Sequence, residues 1–214
     1  MKDFTAARRR MVETQLRTRG ITDGRVLEAM GEVPRHLFVQ PPLQAEAYDD
    51  NPLPIGHGQT ISQPYMVAVM TELLLLEGSE RVLEVGTGSG YQAAVLSRLC
   101  KWVYTIEAVE VLSVGARKTL TECGYDNITF RVGDGSSGWP EEAPFDAIMV
   151  TAGAPRVPDI LVNQLVPGGI LVIPVGDRFS QTLKRVIADK SGAKVERYTG
   201  CRFVDLIGEF GWKK

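Results

Sequence analysis

Val82-Leu83-Glu84-Val85-Gly86-Thr87-Gly88-Ser89-Gly90-Tyr91 reads as a buried strand, a turn of three alternating glycines, and the start of a helix. Glycine tolerates positive φ and lets a ligand approach the backbone closely. The free N–H groups and positive dipole end of the new helix favour an acidic or polar ligand group. A plain strand-to-helix turn needs small residues, but not glycine at 86, 88 and 90 together. Gly86, Thr87 and Gly88 are therefore candidate ligand-binding residues.

Downstream of this turn, strand and helix patterns alternate. Apolar, β-branched runs at 81–85, 103–106, 128–132, 147–150 and 170–175 are separated by helical stretches at about 90–100, 109–123 and 157–166. That order predicts an α/β fold with a doubly wound, mostly parallel, Rossmann-like sheet. After Val175 the helices stop, and 182–188, 194–202 and 204–207 predict an antiparallel addition to one edge. Upstream, Phe4, Ala7, Met11, Val12 and Leu16 recur at helical spacing and predict an N-terminal helix ending near Gly20. A second helix is expected over 23–30, stopped by Gly31 and Pro34. Residues 41–64 read as a long loop, and Ser62-Gln63-Pro64 as a helix start with Ser62 near the cap. One domain is expected, with 1–75 as a helical and loop-rich extension and 76–214 as the ligand-binding core.

The 214 residues carry a formal charge of 24 − 26 = −2, with 44% hydrophobic and 23% charged positions. This is globular composition, without the basic surplus of a nucleic-acid binder. No apolar run approaches the roughly 18 residues of a membrane span, and Met1-Lys2-Asp3-Phe4 lacks a signal-peptide stretch. Cys100, Cys123 and Cys201 are too widely spaced for a disulfide framework, and only His36 and His57 could join a metal site. A cytoplasmic protein without metal is expected. Cys100 and Cys123 are expected on the interior faces of helices, with no chemistry assigned.

The ligand is read from the acids at successive strand ends. A dinucleotide site wants G-x-G-x-x-G, whereas here the third glycine comes one residue early. Glu84, just before the turn, would repel a pyrophosphate but attract an amine. The methionyl part of S-adenosylmethionine carries such an amine and no phosphate. Glu107 follows the second strand, where an acid accepts ribose hydroxyls, and Asp134-Gly135 follows the third, where an adenine amino group needs an acceptor. A nicotinamide-dependent dehydrogenase is thus disfavoured.

The chain resembles the protein-L-isoaspartate O-methyltransferase family over nearly its whole length. The resemblance rests on Arg35-His36-Leu37-Phe38-Val39, Ala47-Tyr48, Pro52-Leu53-Pro54-Ile55-Gly56 and above all Gly58-Gln59-Thr60-Ile61-Ser62-Gln63-Pro64-Tyr65-Met66. It continues through Leu83 to Tyr91, Gly133-Asp134-Gly135, Phe145-Asp146, Val150-Thr151-Ala152 and Pro174-Val175-Gly176. It implies a class I methyltransferase sheet, S-adenosylmethionine as methyl donor with S-adenosylhomocysteine as product, no metal, and esterification of isoaspartyl carboxylates in damaged proteins and peptides. A monomer acting on neither nucleic acid nor membrane is expected. Gln40 and Asp205 depart from the family pattern, where proline is usual; Asp205 puts a charge near the implied substrate groove.

A carboxylate nucleophile is already ionised at neutral pH, so the scarcity of histidine is no obstacle. Ser62 is the candidate for aiming the carboxylate, its alternative role being a helix cap. Thr60 is a second candidate contact, or a loop hydroxyl bonding its own backbone. The Thr60–Ser62 loop and Phe203-Val204-Asp205-Leu206-Ile207 are expected to wall the peptide groove, with Val204 and Leu206 binding substrate. His57, between glycines, reads as part of a mobile lid rather than a base. A nucleic-acid methyltransferase would often show Asp/Asn-Pro-Pro-Tyr after the fourth strand, where Thr151-Ala152-Gly153-Ala154-Pro155 stands. A non-catalytic binding module would not need Glu84, Glu107, Asp134 and Ser62 together.

Overall fold

The computed structural model describes residues 4–189 and 192–213; Met1-Lys2-Asp3, read above for a signal segment, lie outside them. The first amphipathic stretch is helical throughout, as α1 (Thr5–Met11), a π-helical turn (Val12–Leu16) and a 3-10 turn (Arg17–Arg19). Gly20 ends it at φ +93°, as its position suggests. α2 (Gly24–Glu32) starts at Asp23, whose carboxylate accepts from the Arg25 N–H, and runs two residues past the expected end. It stops where Val33 must be extended before Pro34.

The expected loop over 41–64 is more ordered than its composition implies. It holds a 3-10 segment (Pro41–Glu46) and a hairpin of β1 (Leu53–Gly56) and β2 (Gln59–Ile61). The hairpin turn is His57-Gly58, both at positive φ (+52° and +72°), the signature of a primed two-residue turn. Strands of four and three residues are too short to show a period. α3 (Pro64–Glu72) follows, with Gln63 rather than Ser62 as its N-cap residue.

The central sheet contains β3 (Arg81–Val85), β4 (Trp102–Glu107), β5 (Ile128–Val132), β6 (Phe145–Val150), β7 (Leu165–Gly176), β8 (Gln181–Ile187) and β9 (Lys194–Cys201). Their order is β5-β4-β3-β6-β7-β8-β9; the first five are parallel, and β8 and β9 are antiparallel additions at one edge. α4 (Tyr91–Ser97) and α5 (Glu110–Glu122) fill their expected places. α6 (Asp159–Val162) is shorter than expected because Leu165 already pairs with Phe145 in the sheet. Residues 204–207 do not join the sheet as a strand. They form isolated bridges, Gly153 with Asp205 and Ile207 with Trp212, in a C-terminal strap.

Alternate strand residues face opposite cores. Val82, Val103, Ala147, Met149 and Val172 pack with α1 to α4, while Leu83, Ile106, Ile148, Val150 and Leu171 pack on the other face. A sheet buried on both faces explains the near-continuous apolar runs of its strands. The chain reverses its direction of winding between β3 and β6, so the crevice beyond the carboxyl end of β3 is where such a sheet binds ligands. Cys100 is buried just after α4 and Cys123 is half-buried at the end of α5.

Candidate active site

A cavity of about 690 Å³ lies at that crevice. Its floor is the glycine turn. Gly86 has φ +101°, and a Cβ there would stand 2.3 Å from Thr151 Oγ1, which donates to the Gly86 carbonyl at 2.6 Å. Thr87 is buried, and Gly88, at φ +53°, faces the Ile55 side chain of the β1–β2 hairpin. Gly135 lies against Val85, whose Cγ1 would be 2.6 Å from an added Cβ. Glycine at 86 and 135 is thus required by close packing against Thr151 and Val85.

Glu107 ends β4 and lines the cavity. Its Oε2 accepts from the Gly88 N–H at 2.8 Å and its Oε1 from the Val109 N–H at 2.9 Å, leaving lone pairs for a ligand. Asp134 also lines the cavity, but its oxygens are partly engaged. Oδ1 accepts from the Ser136 N–H and hydroxyl, and Oδ2 from the Glu209 N–H of the C-terminal strap. Burial works to raise the Asp134 pKa, but the bonds from Ser136 and Glu209 bring it below the ordinary carboxylate value.

Glu84 is placed differently from its two fellow acids. It is fully buried beneath the turn and is not among the residues lining the cavity. Its Oε2 accepts from Thr105 Oγ1, which shares a 2.6 Å hydrogen bond with Thr87 Oγ1, while Oε1 has no partner among the described residues. Burial pushes its pKa from 4.5 to about 8, against the Thr105 bond and with help from the negative charge of Glu107. A folded-state pKa above the unfolded one means stability present below about pH 4.5 and lost as pH rises through about 8. Glu84→Gln is therefore expected to melt higher than the parent at pH 8.5 by about 1–3 kcal/mol of stability, the difference closing toward pH 4.5. Thermal unfolding of the ligand-free protein at both pH values measures it; a constant difference would mean an ordinary carboxyl.

A second cavity of about 170 Å³ opens beside the first, and Thr60, Ser62, Thr151 and Val204 line both. The Ser62 hydroxyl makes no hydrogen bond within the described residues, and the start of α3 is served instead by Asp50, whose Oδ1 accepts from the Tyr65 N–H at 3.0 Å. Val204 accepts from the Gly153 N–H at 2.7 Å, while its own N–H has no partner among the described residues. Leu206 lines the larger cavity and donates its N–H to Gly153. His57 sits at the hairpin turn and lines neither cavity.

Thr151, which lines both cavities, and the end of the strap, where Gly208, Trp212 and Lys213 line the larger one, were given no role by the sequence reading. Thr151 was legible as a polar residue following the fourth strand at the ligand edge. The strap was marked only by Gly208, where an added Cβ would lie 2.0 Å from Asp134 Oδ1. Asp205 lines the larger cavity and pairs with Arg178 (3.3 Å), whose guanidinium lies 5.0 Å from the Trp212 ring centre. That pairing accounts for the charge where the family pattern has proline. Among the described residues no group of three or more His, Cys, Asp and Glu could hold a metal.

The arrangement fits S-adenosylmethionine. Glu107, Asp134 and Asp205, with Lys213 as the one lining cation among the described residues, suit a ligand carrying a cationic sulfonium and amine. The unpartnered Glu84 Oε1 lies one layer below as a further negative group when ionised.

The family model described as Protein-L-isoaspartate(D-aspartate) O-methyltransferase matches residues 7–211. A protein-L-isoaspartate O-methyltransferase of Geobacter metallireducens is 57% identical over 211 residues, covering 98% of both chains. Protein-L-isoaspartate O-methyltransferase 1 of Syntrophobacter fumaroxidans is 57% identical over 213 residues, covering 100% of both. A solved protein-L-isoaspartate O-methyltransferase superposes with a TM-score of 0.84 at 30% identity, over 95% of this chain and 67% of that one. A Plasmodium falciparum structure assigned to the same activity, in complex with S-adenosyl-L-homocysteine, gives 0.79 at 29% identity, over 94% and 98%.

Proposed function

The chain belongs to the protein-L-isoaspartate(D-aspartate) O-methyltransferase family, and from that premise we propose how its two adjoining cavities divide the reaction. The enzyme transfers a methyl group from S-adenosylmethionine to the free carboxylate of L-isoaspartyl residues in damaged proteins and peptides, the first step of their repair. The larger cavity takes the methyl donor and the smaller one the isoaspartyl peptide. The observation that carries this division is the shared wall of Thr60, Ser62, Thr151 and Val204, where reacting groups from the two cavities would meet.

S-adenosylmethionine, when bound, supplies an electrophilic methyl group on a sulfonium whose leaving group is a neutral thioether. Glu107 binds the ribose hydroxyls, the Gly86-Thr87-Gly88 backbone and Gly135 allow close contact, and Asp134 accepts from the adenine amino group. Glu84, a buried carboxyl beneath the turn that is mostly uncharged near neutral pH without ligand, would be drawn toward its ionised form by the cationic amine above it. The substrate carboxylate needs no general base. It needs to be held in line, and orientation of this kind supplies about 7–11 kcal/mol. Ser62 donates one hydrogen bond to that carboxylate. Its hydroxyl is free to do so because Asp50 serves the helix start. Thr60 lies beside it as a second contact.

Isoaspartyl and aspartyl carboxylates have similar charge, so geometry must separate them. The isoaspartyl linkage runs the main chain through the side-chain methylene and leaves a short α-carboxylate beside an extended backbone. A groove that hydrogen-bonds the peptide strand-fashion places only the short carboxylate at the methyl. The free Val204 N–H supports a place for this residue in that groove, with Leu206 next to it. Val204→Pro removes the donor. It is expected to raise KM for isoaspartyl peptides several-fold while S-adenosylhomocysteine affinity holds; unchanged KM in a folded variant would move the groove elsewhere.

The chain works as one methyltransferase domain, with residues 1–75 forming the substrate-side extension of the 76–214 core. A single apolar cluster running from Met11 to Leu183 supports this unity. We place the enzyme in the cytoplasm, a reading supported by the free cysteines Cys100, Cys123 and Cys201, and as a monomer acting on neither nucleic acid nor membrane. Transfer of labelled methyl to an isoaspartyl peptide, with the aspartyl peptide as control, tests the activity directly.

A further inference from the structure

The two cavities differ in the charge that lines them. The donor cavity is lined by Glu107, Asp134 and Asp205 with Lys213, whereas the peptide cavity is lined by Arg19 and Arg202 and by no carboxylate. The arginines differ in kind. Arg19 pairs with Asp50 and lies over the Tyr65 ring, 3.4 Å from its centre, so its charge is largely answered and its position held. Arg202 is exposed and has no ion pair among the described residues. It follows β9 directly, one residue before Phe203, whose N–H is held by the Gln181 side chain at 2.8 Å. The backbone beside it is therefore anchored, while the guanidinium has no answering charge.

Resting on the division of cavities proposed above, we propose that Arg202 is a specificity-determining residue that favours isoaspartyl peptides with an acidic side chain next to the damaged residue. The isoaspartyl carboxylate itself belongs at the wall shared with the donor cavity, beside Ser62. A guanidinium clamped on that carboxylate would occupy the lone pairs that must attack the methyl. Arg202 lines the peptide cavity but not the donor cavity, so the group it reaches is a neighbouring one. A planar five-donor fork suits a carboxylate there. On a chain of net charge −2, this unpaired cation also gives an acidic peptide a local attraction at the mouth.

The test uses isoaspartyl peptides that differ only in Glu, Gln or Lys at the position before or after the isoaspartyl residue. KM is measured for the parent enzyme, Arg202→Gln and Arg202→Glu at low and high salt. For one flanking position, the parent is expected to show KM lower for Glu than for Gln by about two- to fivefold, and highest for Lys. Arg202→Gln should flatten the series, Arg202→Glu should reverse it, and salt should compress it in the parent. The same ranking in parent and Arg202→Glu would overturn the proposal. So would an equal fall in kcat for every peptide, which would assign Arg202 to the reacting carboxylate instead. Absence of methyl transfer to any isoaspartyl peptide by the parent would overturn the activity itself, and this inference with it.

Discussion

Glu107→Ala is expected to weaken S-adenosylhomocysteine binding at least about tenfold, since hydrogen bonds to a charged acceptor are worth about 1.5–3 kcal/mol each. Its carboxylate lines the cavity and holds two further lining residues by their backbone. It accepts from Gly88 in the turn and from Val109 at the start of α5. The strand position of Glu107 alone would predict a loss of affinity at unchanged melting temperature. The observed bonds change that expectation: alanine leaves two backbone N–H groups without their acceptor, and Tm falls as well, by about 2–4 °C for each kcal/mol lost. Glu107→Gln separates the effects, because its amide oxygen keeps one of the backbone bonds while the charge is gone. Calorimetric titration and thermal unfolding of both variants measure the two losses. Unchanged affinity in Glu107→Ala would remove the ribose assignment.

Ser62→Ala is expected to lower turnover by about tenfold or more, the scale of one hydrogen bond to a charged group, while leaving S-adenosylhomocysteine affinity and Tm close to the parent. A capping serine would behave in the opposite way, costing about 0.5–2 kcal/mol of stability and sparing the rate. The local geometry favours the aiming role. Gln63 is the N-cap residue of α3, the Tyr65 N–H is taken by Asp50, and the Ser62 hydroxyl, which lines both cavities, has no hydrogen bond among the described residues. Single-turnover methyl transfer with saturating peptide reads the chemical step. Normal turnover per folded molecule would return Ser62 to a structural role and leave Thr60 or Thr151 as the carboxylate's partner.

What the sequence determined by itself is whatever is local in chain and physics. Three glycines that must accept positive φ or close approach, and apolar runs long enough to be buried on both faces, are written into consecutive residues. They were sufficient for the parallel sheet, the ligand turn and the acids at successive strand ends. The depth of those acids was decided by strand register. Glu84 aligns with Thr105 in the neighbouring strand, below the edge, while Glu107 is the last residue of its own strand and reaches the cavity. Both are glutamates at the end of an apolar run; only pairing between strands makes one a buried carboxyl with its pKa raised to about 8 and the other a cavity-lining carboxylate. The helix start beside Ser62 was likewise served from a distance, by Asp50 reaching the Tyr65 N–H from 15 residues away. The strap over Asp134 and the wall shared by two cavities join segments from residue 60 to residue 209. Such contacts form because long-range packing brings unpaired backbone groups together, and no window of neighbouring residues encodes that packing.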